Sequence, residues 1–229
     1  NAASLQAMSV EIGVIEGFFG RPWSWAERTA NVSFLGPRGY GFWLYAPKAD
    51  PWLRRRWREP YPQAELDALK AFGAACRAAD VRFGVGLTPF ELHFGFDTDA
   101  KVTLSAKLAQ LDDAGVEDLA ILFDDMRGDL PDLAARQAEI VHWIGPRTKA
   151  SRLIMCPSYY SDDPVLDRVF GARPKDSLAE LGLSLEPVVH VMWTGEEVCS
   201  REYSPGHLER VGQQLRRRPV IWDNYPVND

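Results

Sequence analysis

The run Leu119-Ala-Ile-Leu-Phe-Asp-Asp-Met126 constrains the fold of this chain more than any other stretch. Five apolar residues lead straight into two adjacent carboxylates, Asp124 and Asp125. An unbroken apolar run of this kind reads as a strand buried on both faces, as in parallel sheets. Neighbouring side chains on a strand point to opposite faces. Two charges inside the strand would therefore drive one of them into the core at high cost. The cheaper arrangement places both aspartates at the strand's carboxyl end, where the backbone leaves the sheet. In α/β folds that end carries ligands and catalytic groups. A structural alternative stands beside this reading, because Asp at such a position also caps the segment that follows.

The same pattern recurs along the 229 residues. Strands are expected at Ile12–Glu16, Tyr40–Tyr45, Val81–Leu87, from Leu119, and at Arg152–Cys156, Val188–Met192 and Pro219–Ile221. Between them, helical patterns run over Ser24–Leu35, Ala64–Ala79, Lys101–Ala114, Pro131–Ile144 and Leu208–Arg217. The second of these carries apolar residues at 66, 69, 72, 76 and 79, a helical stripe. Gly115 suits the position just beyond the third. No Gly-x-Gly-x-x-Gly follows the first strand, so repeated βα units favour a barrel over a dinucleotide-binding sheet. The sequence thus predicts an α/β fold, a (β/α)8 TIM-type barrel that ends after its seventh strand. Residues 1–10 read as an N-terminal extension and residues 11–229 as a barrel whose C-terminal part is missing.

Composition narrows the function. Hydrophobic content of 46% and charged content of 25% are globular values. A net charge of -6 gives no general surface for nucleic acid or an anionic membrane. The dense basic run Arg54-Arg-Arg-Trp-Arg58 reads as a solvated face or loop, and Arg216-Arg-Arg218 as cations complementing a helix end. Cys76, Cys156 and Cys199 are too widely spaced for a disulfide framework or a zinc site, which suggests reduced thiols in a cytoplasmic protein. The four histidines show no metal-ligand spacing. Residues 1–10 lack the character of a signal peptide, and no apolar run is long enough for a transmembrane helix.

Almost every strand ends in residues a core would not choose: Arg21, Lys48, Asp50, Thr88, Asp124, Asp125, Tyr160, Thr194, Asp223, Asn224 and Asp229. In a barrel these ends form one face. Together with Phe18, Phe19, Trp193 and Trp222 they describe a polar cleft with aromatic walls. The connection after Tyr45, rich in Pro, Arg and Trp, exceeds a minimal turn and marks a functional loop.

Six co-linear motifs carry a resemblance: Gly17-Phe-Phe-Gly-Arg-Pro-Trp23, Leu44-Tyr-Ala-Pro-Lys48, Trp57-Arg-Glu-Pro-Tyr61, Phe123-Asp-Asp125, Met192-Trp-Thr-Gly195 and Trp222-Asp-Asn-Tyr-Pro226. In order and spacing they resemble glycoside hydrolase family 84, which contains the O-GlcNAcases and bacterial β-N-acetylglucosaminidases. The resemblance implies a retaining hydrolase in which the sugar's own acetamido oxygen attacks C1 to give an oxazoline, an exception to the two-carboxylate scheme. It implies no metal or organic cofactor. Asp124 would hold the acetamido N–H, and Asp125 would be general acid and then base. The Gly17 carbonyl and Lys48 would contact the sugar's 3-hydroxyl side, Asn224 the acetamido carbonyl, and Asp229 the 4- and 6-hydroxyls. Tyr160 would lie near the reacting centre and Trp222 would wall the acetamido pocket, with Phe19 and Trp193 as further candidates for the cleft wall.

Bland readings remain for Lys48 (a surface lysine), Asn224 (a turn residue), Tyr160 and Trp193 (packed aromatics). The chain also departs from the family. Phe19 replaces a usual Tyr, Thr88-Pro-Phe90 replaces Ser-Pro-Gly, and Pro157-Ser-Tyr-Tyr160 replaces Pro-Thr-Glu-Tyr. An Asn supplied by the eighth strand in the family is absent. The implied partner is an O-GlcNAc-modified protein or peptide, or a terminal β-GlcNAc glycan. The alternatives are a non-catalytic glycan- or glycopeptide-binding domain, and a hexosaminidase acting on chitin- or hyaluronan-type oligomers.

Overall fold

The computed structural model describes residues 10–224. Its elements, in order, are β1 (Ile12–Glu16), α1 (Trp25–Leu35), β2 (Tyr40–Tyr45), α2 (Gln63–Ala78), β3 (Arg82–Leu87), α3 (Thr98–Asp113), β4 (Asp118–Leu122), α4 (Leu133–Ile144), β5 (Arg152–Cys156), α5 (Val165–Phe170), α6 (Ser177–Ser184), β6 (His190–Trp193), α7 (Pro205–Leu215) and β7 (Val220–Ile221). The strands form one sheet in the order β1-β2-β3-β4-β5-β6-β7, and every pairing is parallel. A doubly wound sheet reverses its order at a switch point. Here the order never reverses, which is the progression of a (β/α) barrel.

Local chemistry explains where helices begin. Ser24 accepts from the Glu27 N–H at 3.2 Å while the Glu27 carboxylate accepts from the Ser24 N–H at 2.6 Å, a closed capping box for α1. Asp97 caps α3 through the Ala100 N–H. Two helices, α5 and α6, were not legible beforehand. Pro164, Gly171 and Pro174 interrupt the sequence around them, and α5 is only six residues long, too short to show a period.

Strand alternation divides the apolar residues into two layers. Trp43, Phe83, Val85, Leu119, Ile121, Met155 and Val191 belong to the cluster that also holds the core-facing residues of the helices. Leu44, Ala120, Leu122, Ile154, Cys156, Met192 and Trp222 form a second cluster inside the curl of the sheet. The interior is crowded at β3. A Cβ on Gly86 would sit 2.7 Å from Ala46 Cβ and from Leu122 Cδ1, so only glycine lets the neighbouring strands close there.

One buried ion pair ties α1 to the sheet. Arg28 and Glu16, 4% and 0% exposed at their side chains, meet with Nη2 2.7 Å from Oε1 and Nε 2.9 Å from Oε2. Trp25 and Tyr45 flank the guanidinium at 4.5 and 4.9 Å. Burial pushes the Glu16 carboxyl up despite Arg28. Removing only one partner strands a charge in the core. Arg28→Met is expected to lose about 3–5 kcal/mol of stability, whereas Glu16→Leu with Arg28→Met together recovers most of it. Urea unfolding of the two variants checks this.

Candidate active site

The end of β4 is pinned before the carboxylates begin. The Phe123 N–H donates to the Cys156 carbonyl at 2.9 Å, continuing the pairing with β5. The Phe123 carbonyl accepts from Ser158 Oγ at 3.0 Å, and Ser158 Oγ in turn accepts from Gln137 Nε2 of α4 at 2.8 Å. Past this clamp the backbone turns sharply, with Asp125 at φ 58° in the left-handed region. Asp tolerates that region better than bulkier residues. The turn breaks the alternation of an extended strand, and so two neighbouring carboxylates can reach one cation.

That cation is Lys48, on the segment leaving β2. Its Nζ donates to Asp124 Oδ2 and, at 2.8 Å, to Asp125 Oδ2. Lys48 and Asp124 are each 6% exposed at their side chains, and Asp125 is 23% exposed. Burial pushes the Asp124 carboxyl up and the Asp125 charge adds to it, against the pull of Lys48 and Arg54. Burial works against the Lys48 ammonium, but the attraction of Asp124 and Asp125 outweighs it and holds Lys48 protonated. Asp124 Oδ1 is buried and has no hydrogen-bond donor among the described residues.

These groups open into a cavity of about 270 Å³ lined by Ile15, Gly17, Phe18, Phe19, Lys48, Asp124, Asp125, Cys156, Tyr160, Thr194, Val198, Cys199, Trp222, Asp223 and Asn224. Trp222 closes one side by lying against the Gly17 backbone. A Cβ at Gly17 would fall 2.4 Å from the Trp222 ring, so glycine is required for this approach. Asn224 Nδ2 donates to the Val198 carbonyl at 2.7 Å, and Asp223 Oδ1 accepts from the Tyr203 hydroxyl at 3.2 Å. Tyr160 is anchored through its carbonyl, which accepts from the Thr194 N–H at 2.9 Å. Burial, with the charges of Asp125 and Asp124 nearby, pushes its phenol well above the ordinary range. Phe19 stands half-exposed at the mouth, its ring 5.7 Å from Lys48 Nζ.

The cavity therefore gathers Gly17, Phe19, Lys48, Asp124, Asp125, Tyr160, Trp222 and Asn224. It does not gather Trp193, whose ring faces the outer layer and donates Nε1–H to His207 Nε2 of α7 at 3.1 Å. Strand parity is the reason: Met192 points inward, so its neighbour points out. Asp50 is also withdrawn. Its carboxylate accepts from the Tyr45 and Tyr61 hydroxyls and from the Trp52 and Leu53 N–H groups. Arg21 pairs with Glu27 at the surface. Thr88 is buried outside the cavity lining. Asp229 lies outside the described residues.

The basic run is corrected at one position. Arg55, Arg56 and Arg58 are exposed, but Arg54 turns inward with its Nη2 3.7 Å from Asp125 Oδ2. Nothing in the composition of the run separates it from its neighbours. Cys156 could have been found, because it shares the inward parity of Ile154 on β5. Val198 and Cys199 arrive on an irregular loop with no pattern to place them. Among the described residues no group of three His, Cys, Asp or Glu side chains could hold a metal ion, and no helix is long and apolar enough to cross a membrane.

Compared with known proteins, the chain matches the β-N-acetylglucosaminidase family profile over residues 12–229. It is 32% identical over 231 aligned positions to the protein O-GlcNAcase of Mus musculus and, to the same extent, to that of Rattus norvegicus. Each alignment covers 95% of this chain and 24% of the relative, so the chain spans about a quarter of the length of these curated relatives. Among solved structures it is similar to a mutant of the Thermobaculum terrenum O-GlcNAc hydrolase. The TM-score is 0.84 at 32% identity, over 96% of this chain and 48% of the other.

The lysine sets a pH-dependent test of the site's electrostatics. Without Lys48, Asp124 is a buried carboxyl whose raised pKa rises further, so the folded state holds its proton more tightly than the unfolded state does. Stability then falls as pH rises through that pKa. Lys48→Met is expected to match the parent in acid and to be about 3–5 kcal/mol less stable at neutral pH, the usual cost of an uncompensated buried charge. Thermal unfolding of both proteins across pH measures the difference.

Proposed function

The chain belongs to the β-N-acetylglucosaminidase family, and from that premise we propose that it is a retaining β-N-acetylglucosaminidase working by substrate-assisted catalysis. The observation that carries this reading is Asp124 Oδ1, a buried acceptor beside Asp125 with no donor among the described residues. A buried acceptor left unmade is costly. An N–H brought by the ligand satisfies it, and a 2-acetamido group supplies one.

In this reading Asp124 accepts the acetamido N–H and turns the acetamido oxygen toward C1. That oxygen forms the new bond to C1 while the C1–leaving-oxygen bond breaks. The Asp125 carboxyl gives its proton to the leaving oxygen and becomes a carboxylate. In the second half Asp125 takes a proton from water as the water oxygen attacks C1 and the oxazoline reopens. Lys48 and the Gly17 carbonyl serve the 3-hydroxyl side, Asn224 the acetamido carbonyl and Asp229 the 4- and 6-hydroxyls. Tyr160 stands by the reacting centre, with Trp222 and Phe19 as walls. The negative charge that Asp125 gains is met by Lys48 in a site largely removed from water, where such preorganised charges act most strongly.

The relatives are named O-GlcNAcases and the similar structure an O-GlcNAc hydrolase. The proposed substrate is accordingly O-GlcNAc on a protein or peptide, with residues 11–229 as part of a catalytic barrel. The buried thiols Cys76 and Cys156 fit a reducing, cytoplasmic setting.

Hydrolysis of aryl β-N-acetylglucosaminides tests the assignment. Asp124→Asn and Asp125→Asn are each expected to lower turnover about 10²- to 10⁴-fold, the span of lost acid/base assistance. The Asp125→Asn deficit shrinks for a leaving group that needs no proton. Near-normal turnover in either variant removes that residue from its role. Binding of an oxazoline-mimicking thiazoline without turnover in the parent indicates a glycan-binding domain instead. Asp124 also predicts a pH limb. It works as a carboxylate and burial raises its pKa, so activity falls with acidification at a higher pH than an ordinary aspartate allows. The residual activity of Asp124→Asn lacks that limb.

A further inference from the structure

Arg54 is the one member of its basic run that faces inward, and the backbone around it is fixed from several sides. It follows the single 3-10 turn Pro51–Leu53, whose free N–H groups at Trp52 and Leu53 are capped by Asp50 at 2.9 and 3.2 Å. Asp50 is itself held by the hydroxyls of Tyr45 and Tyr61 at 3.0 and 2.8 Å. The Leu53 carbonyl accepts from the Thr88 N–H at 2.7 Å, binding the turn to the end of β3. The withdrawn Asp50, idle in the cavity's chemistry, thus anchors the loop that delivers Arg54.

The guanidinium spans the two sides of the site. Its Nη1 donates to the Lys48 carbonyl at 3.3 Å, and its Nη2 lies 3.7 Å from Asp125 Oδ2. The side chain is 13% exposed, and its buried Nε has no partner among the described residues. Lys48 addresses the same oxygen of Asp125 at 2.8 Å. Both cations therefore make their closest contact with Oδ2, and among the described residues Oδ1 accepts no hydrogen bond from either.

We propose that Arg54 is a positioning residue for Asp125: with Lys48 it clamps Oδ2, leaving Oδ1 as the oxygen that carries the transferable proton. This inference rests on the acid/base reading of Asp125. When Oδ1 gives its proton to the leaving oxygen, the carboxylate that remains is already paired at Oδ2. The cation is worth more after proton transfer than before it, so it stabilises the transition state more than the ground state. Lys48 is shared with Asp124, whereas among the described residues Arg54 makes its one carboxylate contact with Asp125. The clamp also holds Asp125 in its left-handed turn against rotation of the side chain.

A double-mutant cycle in the full-length protein tests this, using phenyl β-N-acetylglucosaminide, whose leaving group needs protonation. Arg54→Gln is expected to lower kcat about 10- to 100-fold with little change in KM, less than the loss of one hydrogen-bonded preorganised donor because the contact is an ion pair at 3.7 Å. In the Asp125→Asn background the same substitution is expected to change kcat less than about twofold, because residues acting as a unit are not additive. Arg54→Lys and added guanidinium both restore part of the loss, and sodium chloride at equal ionic strength does not. Should Arg54→Gln unfold, Arg54→Lys carries the cycle with a smaller deficit. Equal losses in both backgrounds, or no loss in the parent, overturn the role of Arg54 while leaving Asp125 as the acid. Near-normal turnover in Asp125→Asn alone overturns both.

Discussion

The site depends on one ammonium placed between a buried and a half-buried carboxylate. Asp124 and Asp125 are adjacent in sequence, and each carries a charge that the interior of a barrel resists. Lys48 makes the arrangement tolerable by meeting an oxygen of each. It reaches them because β2 and β4 both end on the same face, with β3 between them. The intervening β3 carries glycines at positions 84 and 86, where a Cβ would meet neighbouring residues within about 3 Å, so the strands on either side can pack closely enough for these ends to converge. Without the lysine, the two aspartates would have to separate, protonate or leave the interior.

The pairing does not use all of the carboxylate capacity, and the unused part is informative. Among the described residues, Asp124 keeps one buried oxygen without a donor, and both cations make their closest contact with one oxygen, Oδ2, of Asp125. Among the described residues the site is thus stabilised by charge but short of hydrogen-bond donors, a combination suited to a ligand that brings its own N–H and an oxygen needing a proton. The surrounding structure is correspondingly braced: a capped turn beneath Arg54, a serine clamp on Phe123, and a tryptophan resting directly on a glycine backbone. Groups that act on developing charge gain most when they need not reorganise.

Much of this architecture was legible in the sequence because it follows from local periodicity. The strands came within about two residues of their observed starts, since a parallel sheet demands apolar runs and breaks them where charge begins. The aspartate pair stood at a strand end for the same reason. Five of the helices were expected from the sequence, among them α2 by its apolar stripe and α3 with a glycine stop at Gly115. The short α5 and α6 were hidden because six to eight residues seldom complete a recognisable period.

What the sequence by itself determined was the βα alternation, the parallel sheet and the polar strand ends, because burial acts on every strand independently of its neighbours. Tertiary structure alone decided which polar ends share the cavity. Asp50 ends a segment just as Lys48 does, yet two tyrosine hydroxyls and a 3-10 turn draw it away. Trp193 lost its place to strand parity, and Arg54 gained one through the fold of a loop whose four arginines look alike in one dimension. Periodicity fixes which face of an element is buried, but a contact between segments far apart in sequence depends on three-dimensional placement, which no local pattern encodes.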